Sequence, residues 1–310
     1  MRVIPILFTF TENLAMPAGV CITSLLENAD PETFYDIFIL HNPQSDFSKS
    51  GLEQLPQHYH NCRITFRTVK GEFVGGFEIR NIPETAYYRL ISPEIIPEYD
   101  KILYSDVDVI FRDDLSKYYE LDLGDNYLAG VDNCSRLRPW LKDHIENELH
   151  LNHEDGFYYS GNLVINSALI RKDGKTKEFR ELGKQKFFYQ DMDIINIACN
   201  KRFLPLPLSF CLTVHLYDLI VRKRDDMAAI YGNEVLEDAL KCGTVHYNGA
   251  KPWEKPCMNM DIWWDYYRRS IFFDEKFCHD FWDKQRNVLL KMPLIKRIKL
   301  LLRYPLDRMA

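Results

Sequence analysis

Apolar residues recur along this chain with two periods, and the changes from one to the other outline its elements. Residues 3–9 form a β-rich run that Thr11-Glu12-Asn13 breaks. Residues 15–28 then carry Val20, Ile22, Leu25 and Leu26 at helical spacing and end near Asn28-Ala29-Asp30-Pro31. Residues 35–40 alternate as a second strand. Residues 48–55 open with a Ser-x-x-Gly turn and predict a short helix, and residues 63–69 predict a third strand. This β-α-β-α-β opening predicts an α/β fold with a parallel, doubly wound sheet.

Residues 71–76 read as loop. Residues 83–90, with Pro83 in the first turn, predict a helix. Further on, residues 126–131 and a stretch ending Leu163-Val164-Ile165-Asn166 predict short strands. Residues 139–150 predict an exposed, charged helix. Residues 168–188 predict a long helix and residues 190–200 another. Residues 202–210 return to extended chain with Pro205 and Pro207, and residues 244–251 predict a strand entering a glycine-containing loop.

The stretch 101–112, KILYSDVDVIFR, adds chemistry to this pattern. It begins apolar, as a buried strand does, and then places Asp106 and Asp108 one residue apart. In extended backbone, residues i and i+2 point to the same side, so the two carboxylates can meet on one hard cation such as Mg²⁺ or Mn²⁺. Strand ends in α/β sheets are also where ligands collect. A second triplet of this kind, Asp191-Met192-Asp193, occurs later.

Composition narrows the class. Of 310 residues, 46% are hydrophobic and 27% charged, a soluble globular balance with enough apolar residues for a sizeable core. The net charge of −6 argues against nucleic acid as a partner. Aromatics reach 14%, and core packing accounts for most of them. The eight cysteines form no Cys-x-x-Cys pair and read as reduced, mostly buried thiols of a cytoplasmic protein. The opening MRVIPILFTF reads as a first strand and not a signal peptide.

The tail differs from the body. From Lys284 onward eight basic residues face a single acid, Asp307, and apolar residues from Val288 to Leu302 lie between them. A basic amphipathic helix of this kind reads as an element for an anionic membrane surface. The expected division is a catalytic domain over residues 1–280 and a basic tail over residues 281–310. The expected location is the cytoplasm, peripheral to the inner face of the membrane.

Four stretches occur in order: Ala86-Tyr87-Tyr88-Arg89-Leu90, then Asp100 to Asp108, then Tyr189-Gln190-Asp191-Met192-Asp193-Ile194-Ile195-Asn196, then His246-Tyr247-Asn248-Gly249-Ala250-Lys251-Pro252-Trp253. Together they resemble glycosyltransferase family 8, which includes bacterial lipopolysaccharide galactosyl- and glucosyltransferases and glycogenin. The resemblance covers roughly residues 1–265. It implies a GT-A type fold, with a Rossmann-like, mostly parallel central sheet and flanking helices. It also implies a UDP-hexose donor, a glycan or glycolipid acceptor, Mn²⁺ (or Mg²⁺), and transfer with retention of anomeric configuration.

Residue by residue, the resemblance makes Asp106, Asp108 and His246 the metal ligands. It places Arg89 and Lys251 by the diphosphate and the transferring sugar, and Asp191 with them in the catalytic set. Thr9, Thr11 and Asn13 match the nucleotide edge. Val107, Asp132, Ser160, Gln190, Asp191 and Gly249 match positions around the donor. The chain departs from the bacterial galactosyltransferases at three points. Thr11 replaces an acid, Met192 replaces a Gln, and Tyr158-Tyr159-Ser160-Gly161 replaces Phe-Asn-Ser/Ala-Gly. Met192 cannot act as a nucleophile, which leaves a front-face mechanism. Two other readings compete. One is a non-catalytic sugar-nucleotide-binding module. The other is a haloacid-dehalogenase-type phosphatase with Asp106 as nucleophile.

Overall fold

The computed structural model describes residues 1–73 and 84–303. Among the described residues there are ten strands: β1 (Arg2–Thr9), β2 (Thr33–His41), β3 (Cys62–Thr68), β4 (Ile102–Ser105), β5 (Val109–Ile110), β6 (Leu128–Gly130), β7 (Asn162–Ile165), β8 (Phe203–Pro205), β9 (Leu212–Thr213) and β10 (Val245–His246). Seven form one sheet in the order β3-β2-β1-β4-β7-β6-β8, and β5-β10-β9 form a small second sheet. Strands β1 to β4 pair in parallel and β6 pairs β8 in parallel, while β7 runs antiparallel to both its neighbours. The expected mostly parallel, doubly wound α/β sheet of the GT-A type is therefore present, with an inserted antiparallel strand.

The β1 and β2 runs are apolar on both faces because helices cover both. The Ala15–Glu27 helix buries ten consecutive residues from Pro17 to Leu26. On the sheet's other face, the Tyr88–Ile95 helix packs against β1. Such two-sided burial turns the sequence pattern from alternating to continuous. The largest fully buried side chains are all aromatic, from Phe8 and Tyr35 to Trp263 and Tyr267, so the aromatic surplus is chiefly core. All eight cysteines are unpaired and six are buried.

Several elements differ from their sequence expectation, each for a local reason. The strand expected through Asp106 and Asp108 is two strands: the backbone leaves the large sheet after Ser105 and joins the small one at Val109. The carboxylates therefore sit in the bend between two sheets and not along one edge. The short helix near residue 50 starts later, at Leu52, after Gly51 with φ 74°. The helix expected over 168–188 breaks at Gly174, φ 63°, into Ser167–Lys172 and Lys175–Leu182, because a left-handed residue cannot continue a right-handed helix.

The helix expected over 139–150 is Pro139–Asp143 followed by a π-helical turn, His144–Glu148; its outer side is exposed as expected, while Leu141, His144 and Ile145 are buried. Pro83 and residues 74–76 lie outside the described residues, and the helix expected from Pro83 runs as a 3₁₀ turn, Glu84–Tyr87, into Tyr88–Ile95. Three helices between Val214 and Cys242, and a fourth over Met260–Arg269, had no sequence expectation.

Arg112, just past the two carboxylates, ties their segment to the fold. Its guanidinium donates to the carbonyls of Ala239, Leu240, Lys241 and Gly243, satisfying the C-terminus of the Asn233–Cys242 helix.

In the tail, Asp274 caps the Glu275–Lys291 helix, and Phe281 packs on Trp264. This helix runs unbroken through residue 280, so the change in charge there is not a break in the backbone. A second helix, Leu294–Arg303, follows Pro293, and residues 304–310, including Asp307 and Arg308, lie outside the described residues. Val288, Leu289, Leu290, Leu294, Ile295 and Ile298 are all exposed.

Candidate active site

The bend after β4 brings Asp106 and Asp108 to the seam between the two sheets. On one side, the Asp106 N–H donates to the Gly161 carbonyl at 2.8 Å, continuing the β4–β7 ladder. On the other, β10 pairs with β5 so that His246 stands opposite Val109, and the Tyr247 N–H donates to the Asp108 carbonyl at 2.8 Å. Strand pairing thus carries His246 to the carboxylates. Its Nε2 lies 3.3 Å from Asp108 Oδ1 and 3.5 Å from Asp106 Oδ2. The three ligand atoms all fall within 4.8 Å of one another.

These residues suit a divalent cation. An octahedral ion with bonds of about 2.1 Å sets neighbouring ligand atoms about 3 Å apart, close to the spacings seen here. Burial alone would lower the His246 pKa, but the charge and hydrogen bonding of Asp108, then Cys211, raise it to about 10. A cation would take the place of that proton. The ring's other nitrogen, Nδ1, faces Cys211 Sγ at 3.6 Å, which helps fix its orientation. Burial would raise the Asp108 pKa; Lys251 and His246 overcome this and hold the carboxyl well below the usual carboxylate range. Lys251 Nζ pairs with Asp108 Oδ2 and donates to the Tyr247 carbonyl at 2.8 Å.

Arg89 forms the second half of the site. It is buried, and its guanidinium lies 3.0 Å from Asp106 Oδ1 and 3.4 Å from Asp191 Oδ2. It donates to the Ser160 and Ala86 carbonyls and stacks 4.2 Å from the Tyr104 ring. Burial opposes its charge, but Asp106 and Asp191 outweigh that and raise its pKa further. Asp191 goes the other way. Burial lifts its pKa above the usual carboxylate value despite Arg89. Its Oδ2 is buried and accepts no hydrogen bond among the described residues.

Asp191 begins its helix after a constrained residue. Gln190 has φ 50° and ψ −115°, a region that favours glycine. The turn is held from behind by Asp193, which is fully buried. Asp193 Oδ2 accepts the Tyr189 N–H at 2.8 Å, and its Oδ1 meets His144 Nε2 at 3.0 Å.

The expected residues divide. Asp106, Asp108, His246, Lys251, Arg89, Asp191 and the Ser160 carbonyl converge. Thr9 joins through Tyr104, whose hydroxyl lies 3.3 Å from Thr9 Oγ1 and donates to Asp106 Oδ1 at 2.5 Å. Val107 is buried in the core. Among the described residues, no hydrogen bond or ion pair joins Thr11, Asn13, Asp132 or Gly249 to the cluster. Thr11 bonds Asn13 at the surface. Asp132 accepts the Phe157 and Cys134 N–H groups. Gly249 has open space around it.

Three residues without an assigned role complete the site: Tyr104, Cys211 and Gly161. A Cβ on Gly161 would lie 2.3 Å from His246 Cε1 and 2.8 Å from Asp106 Oδ2. Tyr104 stands inside the second ordered motif and Gly161 directly follows Ser160, so proximity in sequence was their one signal. The carboxylates follow the fourth strand, whereas the phosphatase reading needs a nucleophile after the first.

Comparison with known proteins identifies the family. The sequence pattern of Glycosyl transferase family 8 matches residues 5–257. A lipopolysaccharide 1,2-glucosyltransferase of Escherichia coli is 25% identical over 251 residues, covering 78% of this chain and 70% of that protein. A lipopolysaccharide 1,3-galactosyltransferase of Salmonella typhimurium is 22% identical over 265 residues, covering 80% and 72%. The galactosyltransferase LgtC, solved with donor and acceptor sugar analogues, superposes with a TM-score of 0.73 at 24% identity, over 89% of this chain and 99% of that one. With the family pattern spanning most of the chain and the fold shared with a solved transferase, the protein belongs to glycosyl transferase family 8 and is a glycosyltransferase.

Proposed function

We propose that this enzyme transfers a hexosyl group from UDP-glucose or UDP-galactose to a glycan acceptor, with retention of anomeric configuration, in the synthesis of lipopolysaccharide or another cell-surface polysaccharide. One observation carries the reading: Asp106, Asp108 and His246 converge on one point beside the buried Arg89–Asp191 pair. Two carboxylates and an imidazole would hold Mn²⁺ better than Mg²⁺, because the nitrogen ligand favours the softer ion. When bound, such an ion would supply Lewis-acid stabilisation of the leaving diphosphate.

The chain's own residues would do the rest. Arg89 is rigidly held and permanently charged, and it would meet charge developing on the leaving group without reorganising. Lys251, on a loop and half-exposed, would turn from Asp108 toward a phosphate oxygen. Asp191 Oδ2, buried without a hydrogen bond, would accept a donor-sugar hydroxyl. Met192 packs in the core and offers no nucleophile. The acceptor hydroxyl would then attack from the face that UDP leaves, and a UDP oxygen would take its proton. The names of the lipopolysaccharide glucosyl- and galactosyltransferase relatives support the donor and acceptor classes.

The test is UDP release from a panel of UDP-sugars, with Mn²⁺ and with excess EDTA, for wild type and Asp108→Asn. Metal-dependent release from one UDP-hexose, lost in the variant, is expected. A fully active Asp108→Asn would overturn the metal assignment, and UDP binding with no turnover on any donor or acceptor would favour the binding module.

The same reading includes the tail. Its exposed apolar residues and its basic side chains would seat the enzyme on an anionic membrane surface, where a lipid-linked acceptor is made. No helix among the described residues is long and apolar enough to cross a membrane.

A further inference from the structure

Two large aromatic side chains stand exposed beside the Gln190 turn. Trp140, on the Pro139–Asp143 helix, is 49% exposed, and Phe188 is 44% exposed. They belong to one cluster. The Trp140 ring lies 6.5 Å from Phe188 and 5.9 Å from Tyr189, and Phe188 lies 4.7 Å from Tyr189. The cluster rests on buried parts. His144 packs 5.7 Å from Phe188 and 5.4 Å from Tyr189, and is itself held by Asp193. The Arg138 guanidinium lies 5.1 Å from the Trp140 ring and is fixed from beneath by Asn133 and the Tyr159 hydroxyl.

We propose that Trp140 and Phe188 form a stacking platform for a sugar ring of the glycan acceptor. The inference rests on the transferase reading above and adds a subsite to it. The Tyr189–Asp191 turn has two sides. Asp191 faces Arg89, which also pairs with Asp106, and the donor sugar and diphosphate would lie there. Phe188 and Tyr189 face Trp140, outside that charged cluster. An acceptor must reach the sugar held at Asp191, and Phe188 stands three residues before it, so a ring next to the reacting one would come within reach of this cluster.

The chemistry there suits a neutral ring. Arg138, the cation beside Trp140, is buried and donates to Asn133 and Tyr159, so the exposed part of the platform is its aromatic rings. One face of a hexopyranose carries a patch of C–H bonds that packs on an aromatic ring, while its hydroxyls stay in water. Exposed rings braced by buried neighbours supply that contact at little cost in ordering.

The test measures binding of lactose, maltose and cellobiose to the full chain, with Mn²⁺ and UDP present, by ligand-observed NMR. Donor hydrolysis to UDP is measured in parallel. The variants are Trp140→Ala, Phe188→Ala and the conservative Trp140→Phe, each checked by circular dichroism. Wild type is expected to bind at least one disaccharide. Trp140→Ala is expected to weaken it about tenfold, with Phe188→Ala in the same direction. Trp140→Phe should stay near wild type, and donor hydrolysis should remain within about twofold throughout.

Disaccharide binding equal in wild type and both alanine variants would overturn the platform, as would wild type that binds none of the three. Hydrolysis lost together with binding would also overturn it, because the rings would then serve the donor turn. Wild type that binds a disaccharide through Trp140 yet releases UDP from no donor would leave the platform standing and sink the transferase reading instead.

Discussion

Gly161 packs directly against His246, and nothing larger fits between them. A Cβ at residue 161 would approach His246 Cε1 to 2.3 Å and Asp106 Oδ2 to 2.8 Å. Strand β7 thus has to begin beside a glycine for the imidazole and the carboxylate to share one point. Gly161→Ala should push His246 off that point while leaving the sheet paired. Metal affinity should fall by about 10- to 100-fold, the range for disturbed support of a ligand. Titration with Mn²⁺, alongside circular dichroism, checks this; unchanged affinity would show that the imidazole is not held by this contact.

Arg89 neutralises the buried Asp191 and the partly exposed Asp106 at once, and removing it leaves Asp191 as an uncompensated buried charge. Arg89→Ala should destabilise the fold by about 3–5 kcal/mol, the cost of breaking a buried ion pair, as well as abolish turnover. Arg89→Lys keeps the charge but loses the fork that spans Asp106 and Asp191, so it should be milder in stability and still severe in activity. Urea unfolding of the two variants separates the effects.

His144 is held between Asp193 and Glu148. Burial would lower its pKa, but hydrogen bonding and charge from Asp193, then Glu148, raise it above the ordinary histidine value. A histidine whose folded pKa is raised stabilises the fold fully below its unfolded pKa, and loses that contribution as pH rises through the folded pKa. The stability gap between wild type and His144→Gln should therefore be larger at about pH 6 than at about pH 9. A gap independent of pH would mean that the imidazole is neutral throughout.

The tail should bind vesicles containing anionic lipid at low salt and detach as salt rises, because the attraction is screened over about 10 Å at 0.1 M. Replacing Leu294 and Ile295 by Asp should abolish cosedimentation without changing UDP release. Equal binding to neutral vesicles in high salt would point to apolar contact alone.

Much of the fold was legible because β1, β2, β3 and the Ala15–Glu27 helix each carry their apolar pattern within one short stretch bounded by polar breaks. Longer assignments failed where one residue changed the backbone's hand, as at Gly174, or where burial came from distant partners, as at His144. The three helices between Val214 and Cys242 had no expectation, because each is short and only its packing against distant elements fixes its apolar face. In the site, the residue types of Asp106, Asp108, Arg89, Asp191, His246 and Lys251 were readable from ordered motifs. Tyr104, Cys211 and Gly161 were not, since their roles are contacts and not chemistry.

The sequence by itself determined the family and the set of side chains able to hold a cation and a diphosphate, because those properties belong to residue types in a fixed order. Only the tertiary structure decided that the two carboxylates lie in a bend between two sheets, and that β10 carries His246 to them. It also decided that Arg89 stands buried between Asp106 and Asp191. The physical reason is that strand pairing and burial act between residues far apart in the chain. Neither leaves a periodic trace in the local pattern of apolar and polar positions.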